Sequence, residues 1–277
     1  MVLFAIALFL IGLFIKGGLV PFHGWLPDAY STAPAVTSIA LSGIITKTTG
    51  IYSVLRFVID VCPRDERVQG VLLTVGVITV LFGALAAMSQ QELRRLLAYS
   101  SISQVGYIIV GLGAGNILGY VGAGLHLFNH AVFKSLLFLN ASSAERKVES
   151  RRLEDMKGLG SEYPFLGLTT SLAFLSTAGI PPLSGFWSKL IIIMAVWQAG
   201  FIGTAVVALL ASVLTIVYFL HVQKTLLASD STKTVTPKRL SLWENIPAAF
   251  LGGLTVGLGL SFPWLFETFL VPIRSFF

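Results

Sequence analysis

Residues 38–57 read SIALSGIITKTTGIYSVLRF, a mostly apolar run with a lysine near its centre. About 20 apolar residues are enough to cross the hydrocarbon core of a bilayer as an α-helix. Lys47 lies too far from either end of this run for its side chain to reach the membrane surface. The run therefore predicts a transmembrane helix with a charged side chain in its middle.

The composition of the whole chain also indicates a membrane environment. Of the 277 residues, 55% are hydrophobic and 12% are charged, whereas soluble domains carry roughly 25% charged residues. The net charge of +6 does not favour nucleic-acid binding, because the basic residues lie in loops between apolar runs. The single cysteine, Cys62, excludes an intrachain disulfide and a cysteine-based metal cluster. We expect one membrane domain over residues 1–277.

Apolar runs separated by polar segments predict an all-α protein with about eight transmembrane helices. Helices are expected because backbone polar groups cannot remain unpaired in lipid. The first run is expected to be a mature helix and not a signal peptide, since no basic residue precedes it and no cleavage site follows it. The predicted spans cover residues 1–30, 35–57, 68–89, 96–113, 117–141, 164–199, 202–227 and 246–270.

Two of these spans are interrupted by glycine and proline. The first contains GLVP at residues 18–21 and the sixth contains GIPP at residues 179–182, with Lys16 and Lys189 close to the two interruptions. Paired broken helices are typical of inverted-repeat transporters, whose ion sites lie at the breaks. Simple kinks, which Pro and Gly also cause, are the alternative explanation.

A second charged stretch, LHLFNHAVFKSLLFL at residues 125–139, places His126, His130 and Lys134 at intervals of four. Each step of four drifts by only about 40° around a helix, so the three side chains share one face. Charges inside a membrane cost about 2.5 to 3.5 kcal/mol each and usually mark a functional site. A desolvated lysine readily exchanges its proton, and histidine titrates near neutral pH. The pattern predicts a proton path.

Other residues give weaker signals. His23 and Asp28 follow the first break and are candidates for a water entrance, with an ordinary surface role equally open. The polar segment 142–163 is expected to be a solvated connection. Because no HExxH, CxxC or GxSxG motif is present, we predict no catalytic residue, no metal site and no cofactor.

The loops predict an orientation. With eight crossings, ten basic residues fall on one side of the membrane and four on the other, and the richer side is expected to be cytoplasmic. Both chain termini are then expected outside. The membrane itself is expected to be a cell inner membrane or plasma membrane. The cytoplasmic set is Arg94, Arg95, Arg146, Lys147, Arg151, Arg152, Lys157, Lys233, Lys238 and Arg239, and the outer set is Arg56, Arg64, Arg67 and Arg274.

Four ordered stretches resemble the antiporter-like subunits of respiratory complex I, a family that also includes Mrp-type cation/proton antiporters and membrane-bound hydrogenases. They are spread over most of residues 10–200. They are PFHGWLPDAYSTAPAVTSIALSGIITKTTGIYSVLR (21–56), ELRRLLAYSSISQVGYIIVGLG (92–113), HLFNHAVFKSLLFLNAS (126–142) and AGIPPLSGFWSKL (178–190).

The resemblance implies a fourteen-helix fold with two inverted five-helix repeats, of which this chain resembles the last eight helices. Residues 1–57 then correspond to the last two helices of the first repeat, residues 68–227 to the second repeat and residues 246–270 to a terminal helix. The residues implied as a proton relay are Lys16 at the first broken helix, Lys47 on the next helix, the connecting His126, His130 and Lys134, and Lys189 at the second broken helix, which is the expected outlet.

One departure from the family is the absence of the usual first six helices, together with the glutamate that normally pairs with the first lysine. A truncated product, a split subunit and a specialised short form are all open. The absent glutamate and the lack of a mid-membrane carboxylate in this chain predict a partner membrane subunit with an acidic residue near Lys16 or Lys47.

The sequence thus predicts a proton-translocating membrane subunit of a multisubunit complex, embedded in lipid. Sodium-linked transport is open, as is the type of complex, and any redox chemistry would occur in other subunits. The alternatives are a subunit that keeps the fold without conducting and a stand-alone secondary transporter. The buried basic residues argue against the first alternative, because such residues are costly to keep without a function.

Overall fold

The computed structural model describes residues 2–62, 65–228 and 241–270. Within these ranges the chain forms helices and short connections without a β-strand, apart from one isolated antiparallel bridge between Glu92 and Arg152. The predicted all-helical fold is confirmed.

The chain begins with α1 (Val2–Gly17), which ends ahead of the first Gly/Pro interruption, and continues with α2 (Trp25–Thr32). A longer helix follows without a break, and we call it helix 35–60. Its parts are, in order, α3 (Ala35–Ala40), the π-helical segments Leu41–Ile45 and Lys47–Tyr52, and α4 (Ser53–Asp60).

The remaining helices pack around α6 and α7, and α6 is almost entirely buried by its neighbours. A 3₁₀-helix (Leu153–Met156) precedes α8, and a π-helical segment (Phe266–Leu270) continues α12. The helices are α5 (Glu66–Met88), α6 (Leu93–Gly113), α7 (Ile117–Val148), α8 (Leu159–Glu162), α9 (Pro164–Ala178), α10 (Ser184–Gln198), α11 (Ile202–Leu227) and α12 (Leu242–Leu265).

Glycines hold α5 and α6 at short distance. A Cβ atom on Gly106 would lie 2.6 Å from the backbone nitrogen of Val80, and one on Gly76 would lie 2.9 Å from the backbone nitrogen of Val110. Small residues at such contacts let the backbones of membrane helices approach closely. The hydroxyl of Ser103 adds a hydrogen bond of 2.9 Å to the carbonyl of Val80.

The structure corrects two predicted boundaries. The short fourth span begins earlier, at Leu93, so that α6 has 21 residues and a length of about 31 Å, enough to cross the hydrocarbon core. The expected solvated connection at 142–163 is wrong over its first part, because α7 continues to Val148. Ser142 and Ser143 in this extension are buried against the other helices, which explains why polar residues remain helical here.

The number of crossings stays a prediction. Within the described ranges, four helical stretches are long and apolar enough to span a bilayer, namely Glu66–Met88, Leu93–Gly113, Ile202–Leu227 and Leu242–Thr268. Val2–Gly17 and Pro164–Ala178 are apolar but shorter. The basic residues Arg64, Lys233, Lys238, Arg239 and Arg274 of the orientation argument lie outside the described residues.

An ion pair with little solvent exposure joins the start of α6 to the end of α7. Arg94 and Glu145 approach to 2.8 Å, and their side chains are 9% and 11% exposed. The Arg94 guanidinium also donates to the carbonyl of Ala33 at 3.0 Å, which ties the start of helix 35–60 to the same point. Three segments distant in sequence are therefore fixed together at one end of the bundle.

We expect this ion pair to contribute measurably to stability. Glu145→Gln leaves the Arg94 charge without its carboxylate, and breaking a buried pair in this way costs about 3 kcal/mol. The double variant Arg94→Met/Glu145→Leu should lose less free energy of unfolding than the two single variants together. The reason is that no uncompensated charge remains. The free energy of unfolding in detergent micelles is the measurement.

The matched control is Arg56→Gln, which removes the ion pair between Arg56 and Asp60, whose side chains are 59% and 46% exposed. Exposed pairs contribute about 0 to 1 kcal/mol. Equal losses for Glu145→Gln and Arg56→Gln would contradict the structural role assigned to the Arg94–Glu145 pair.

The predicted orientation can be tested with introduced cysteines. The native Cys62 is a poor probe because its side chain is buried, so Cys62→Ser serves as the background. Arg67 and Glu154 are exposed and lie in segments predicted outside and inside, respectively. A membrane-impermeant maleimide should label Arg67→Cys in intact cells and label Glu154→Cys only after permeabilisation. The reverse pattern would invert the orientation.

Candidate proton-transfer site

The three predicted residues of α7 lie on one face and are fully buried. His126, His130 and Lys134 each have a relative exposure of 0%. The two imidazole rings are nearly parallel, with centroids 6.2 Å apart and an interplanar angle of 8°. The spacing of four residues thus produces a stack of titratable groups inside the bundle.

The ammonium group of Lys134 faces α6. It donates to the hydroxyl of Ser100 and, at 3.1 Å, to the carbonyl of Leu97. The hydroxyls of Ser100 and Ser101 donate to the same carbonyl at 2.9 Å. The partners of this lysine are therefore neutral, and one backbone oxygen accepts from several donors.

Lys47 enters from helix 35–60, where it begins the second π-helical segment. Its side chain is 3% exposed, and its ammonium donates to Thr46 Oγ1 at 3.3 Å and lies 5.9 Å from the ring centroid of Tyr30. One turn earlier, a side chain on Gly43 would collide with Ser135 of α7. This close contact brings Lys47 next to the α7 face.

Lys189 lies close to the second Gly/Pro interruption. It lies on α10, is 3% exposed, and donates to the carbonyl of Thr177 at 2.8 Å near the last residue of α9. The carbonyl groups at the end of a helix lack helical partners and carry partial negative charge, so they stabilise a cation. The ammonium also lies 4.6 Å from the ring centroid of Tyr107, a second neutral contact.

Ser188, next to Lys189, connects α10 to α7. Its hydroxyl is 2.9 Å from Nδ1 of His126 and 3.3 Å from the amide nitrogen of Asn129. Asn129 also donates to the carbonyl of Ser184 at 2.8 Å. These contacts fix the histidine end of the α7 face against the helix that carries Lys189.

Together these side chains form what we call the buried row: Lys47, Lys134, His130, His126 and Lys189. His130 lies within electrostatic range of the other four members. In the described part of the chain, none of the three lysines makes an ion pair, and neither ring nitrogen of His130 has a hydrogen-bond partner. The row thus combines several proton-accepting groups with neutral partners only.

Lys16 does not belong to the buried row in this structure. In the described chain its side chain is exposed, so the structure does not bring it together with the other residues of the predicted relay, and its part in that relay stays a prediction. The reason for the exposure is the packing of α1, whose end at Gly17 faces Gly50 of helix 35–60 so closely that a Cβ on Gly50 would lie 2.8 Å from the Gly17 backbone. Gly17 faces inward, and Lys16 points away.

The two candidates for a water entrance are also not brought together with the buried row. The carboxylate of Asp28 is largely exposed and lies 3.2 Å from the guanidinium of Arg95. The ring of His23 packs against that of Phe82 with centroids 4.5 Å apart. The ordinary surface role left open for Asp28 accounts for its contacts.

Sequence reasoning missed several neutral residues around the buried row, above all on α6. Ser100, Gln104 and Tyr107 are fully buried and follow one another at spacings of four and three, which is a helical face. The spacing is visible in the sequence, but without a charge it does not distinguish a site from ordinary polar packing. Among the described residues, no cluster of three or more His, Cys, Asp and Glu side chains is arranged to hold a metal ion.

The fold and the site define a class of protein, namely helical membrane proteins with a line of basic side chains buried inside the helix bundle. Residues 1–215 match the family described as NADH:quinone oxidoreductase/Mrp antiporter, transmembrane. The chain belongs to this family, and the resemblance seen in its four sequence stretches is confirmed.

Relatives come from both branches of the family. An NADH-quinone oxidoreductase subunit of Desulforudis audaxviator is 38% identical over 223 residues, which are 80% of this chain and 44% of that protein. A Na(+)/H(+) antiporter subunit of Alkalihalophilus pseudofirmus is 37% identical over 210 residues, 76% of this chain and 42% of that protein.

Among solved structures, a chain of the Mrp complex from Dietzia sp. DQ12-45-1b superimposes with a TM-score of 0.86 at 29% identity, covering 94% of this chain and 57% of that one. The chain thus spans about half the length of the relatives it matches.

Proposed function

We propose that this chain moves protons along the buried row as a membrane subunit of a multisubunit complex of the NADH:quinone oxidoreductase or Mrp-antiporter type. The observation that carries the proposal is the row itself. Five basic side chains from helix 35–60, α7 and α10 are at most 3% exposed and have only neutral partners. Family membership supports a place in such a complex, since its relatives are named as subunits.

Electrostatic repulsion makes such a row suited to transfer. Two protonated imidazoles at the 6.2 Å separation of His126 and His130 would repel each other by about 3 kcal/mol at an effective dielectric constant of about 20. Protonation of two neighbouring groups at the same time is therefore disfavoured. A proton that reaches one group favours the release of a proton from the neighbouring group. Transfer between groups without direct contact would use bridging water.

Protons fit the row better than sodium ions. The charged forms of all five members are cations, which repel a sodium ion, whereas transporters hold sodium with the carbonyl oxygens of unwound helices. The free carbonyls near the end of α9 accept from Lys189. We therefore assign any sodium linkage to other parts of the assembly and propose Lys189 as the outlet of the row.

The first test replaces members of the row. Lys47→Ala and Lys134→Ala should each reduce proton translocation at least about ten-fold, since each removes a proton-carrying group that the transfer requires. The measurement uses everted membrane vesicles from a deletion strain that expresses each variant. Acridine orange fluorescence reports the proton gradient. Its NADH-driven quenching tests a complex of the NADH:quinone oxidoreductase type, and its sodium-driven dequenching tests one of the Mrp-antiporter type.

The matched controls are Lys224→Ala, which removes an exposed lysine of α11, and His23→Ala, which removes a histidine outside the row. Both should retain most of the translocation, and blue-native electrophoresis should show normal assembly for all variants. Unchanged proton movement in assembled Lys47→Ala and Lys134→Ala complexes would refute the proposed function.

The exposed Lys16 points to a partner. The neighbouring Ile15 is also exposed, and helix 35–60, which packs against the end of α1 at Gly50, exposes Ile44 and Thr48. We propose that another membrane subunit covers these exposed side chains and places a Glu or Asp within roughly 4–6 Å of Lys16 or Lys47, the range in which opposite charges stabilise each other.

A charge reversal tests this partner. Lys16→Glu should weaken assembly or proton translocation, because two carboxylates would then face each other, and reversal of the partner's acidic residue to Lys should restore it. Lys224→Glu is the matched control and should assemble normally. A structure of the native assembly with only lipid against α1 and helix 35–60 would rule out the proposed contact.

A further inference from the structure

A second set of polar residues lies between α6 and α11. On α6 they follow one face at spacings of four and three, and on α11 successive members are three residues apart and so lie on adjoining parts of the helix surface. The two helices run in opposite directions here. We call this set the α6–α11 strip, and it consists of Ser100, Gln104 and Tyr107 on α6 and Ser212, Thr215 and Tyr218 on α11.

Both ends of the strip touch the buried row. At one end, Ser100 accepts from the ammonium of Lys134, and the hydroxyl of Tyr218 lies near Ser100 and Gln104. At the other end, the hydroxyl of Tyr107 is 2.9 Å from that of Ser212, and its ring lies beneath the ammonium of Lys189. The strip therefore extends from the hydrogen-bond partner of Lys134 to the ring beside Lys189.

The middle of the strip has unmet hydrogen-bonding capacity. Gln104 is fully buried, and neither its amide nitrogen nor its amide oxygen has a hydrogen-bond partner in the described part of the chain. The hydroxyl of Tyr218 is also buried and lies close to Thr215, Ser100 and Gln104, but without hydrogen-bonding geometry to any of them. Buried polar groups are nearly always satisfied, by protein or by ordered water, and the unpartnered amide of Gln104 next to the Tyr218 hydroxyl is the observation on which the inference rests.

We propose that the α6–α11 strip holds ordered water and forms a second proton-transfer route between Lys134 and Lys189, parallel to His130 and His126. The proton leaves the Lys134 ammonium, passes along water and hydroxyl groups that each accept one proton and release another, and is taken up by the neutral amine of Lys189. Gln104 and Tyr218 position the water and do not change their own charge.

This inference rests on the proposed function, and combined variants test it. Gln104→Leu with Tyr218→Phe should block the strip, and His126→Leu with His130→Leu should block the histidine route, while both pairs keep most of the side-chain volume. For two parallel routes, each pair should lower proton translocation about two-fold, and all four substitutions together more than about ten-fold, well beyond the product of the separate effects.

The control is Thr255→Val, which removes a fully buried hydroxyl of α12 that bonds only within its own helix and should leave translocation unchanged. An independent measurement is hydroxyl-radical footprinting of the assembled complex, since bound water permits the oxidation of a buried ring. Tyr218 should be modified in the wild type and at least about three-fold less in Gln104→Leu, a change expected from the loss of a water that needs two or more polar partners.

Lys134→Ala in the same vesicles separates the two proposals. Normal translocation in that variant overturns the proposed function itself. If Lys134→Ala is inactive, two results overturn the strip alone: complete loss from the histidine pair by itself, or a quadruple variant no worse than the product of the two pairs. Absence of Tyr218 oxidation in the wild type would also overturn it.

Discussion

Removing an ammonium or imidazolium group from water costs several kcal/mol unless the protein supplies other partners, and the arrangement around the buried row follows from this constraint. The described chain offers its lysines no carboxylate and supplies neutral oxygens in its place. The carbonyl of Leu97 accepts from Lys134 as well as from two serine hydroxyls. Backbone oxygens for Lys134 and Lys189, and a threonine hydroxyl for Lys47, thus take the place of counter-ions.

Irregular helical structure occurs where these partners are needed. α9 stops at Ala178, so that carbonyls of its last turn are free to accept from Lys189. Helix 35–60 contains π-helical segments on both sides of Thr46, and Lys47 begins the second one. π-Helical turns inside helices are frequent at functional sites. By contrast α5 and α6, which carry no member of the row, are regular and joined by close glycine contacts.

Much of the site was predictable, because local periodicity specifies which face of a helix a residue occupies. The spacing of His126, His130 and Lys134 and the central position of Lys47 both led to buried positions. The exposure of Lys16 could not be predicted, since it depends on which helices cover α1 and not on the local sequence. The polarity of residues 142–148 predicted a loop. They stay helical because Glu145 forms an ion pair with Arg94. Local patterns do not reveal this partner, which lies 51 positions away in the sequence.

The direction of transfer cannot come from the row alone. Each of its members can accept and release a proton, and the proposed path through them could carry protons either way. The asymmetry lies at the two ends. At the Lys47 end, helix 35–60 contacts α1, whose outer surface is exposed and carries Lys16. At the Lys189 end, the ammonium is enclosed by α9, α10 and the ring of Tyr107.

In the proposed assembly, a partner's charge beside α1 acts on the Lys47 end of the row. A negative charge placed beside α1 would stabilise a proton on Lys47, and the repulsion along the row would then favour release near Lys189. Withdrawal of that charge would reset the row. In the proposed arrangement the two ends of the row are unequal, and the driving event would come from the partner that packs against α1.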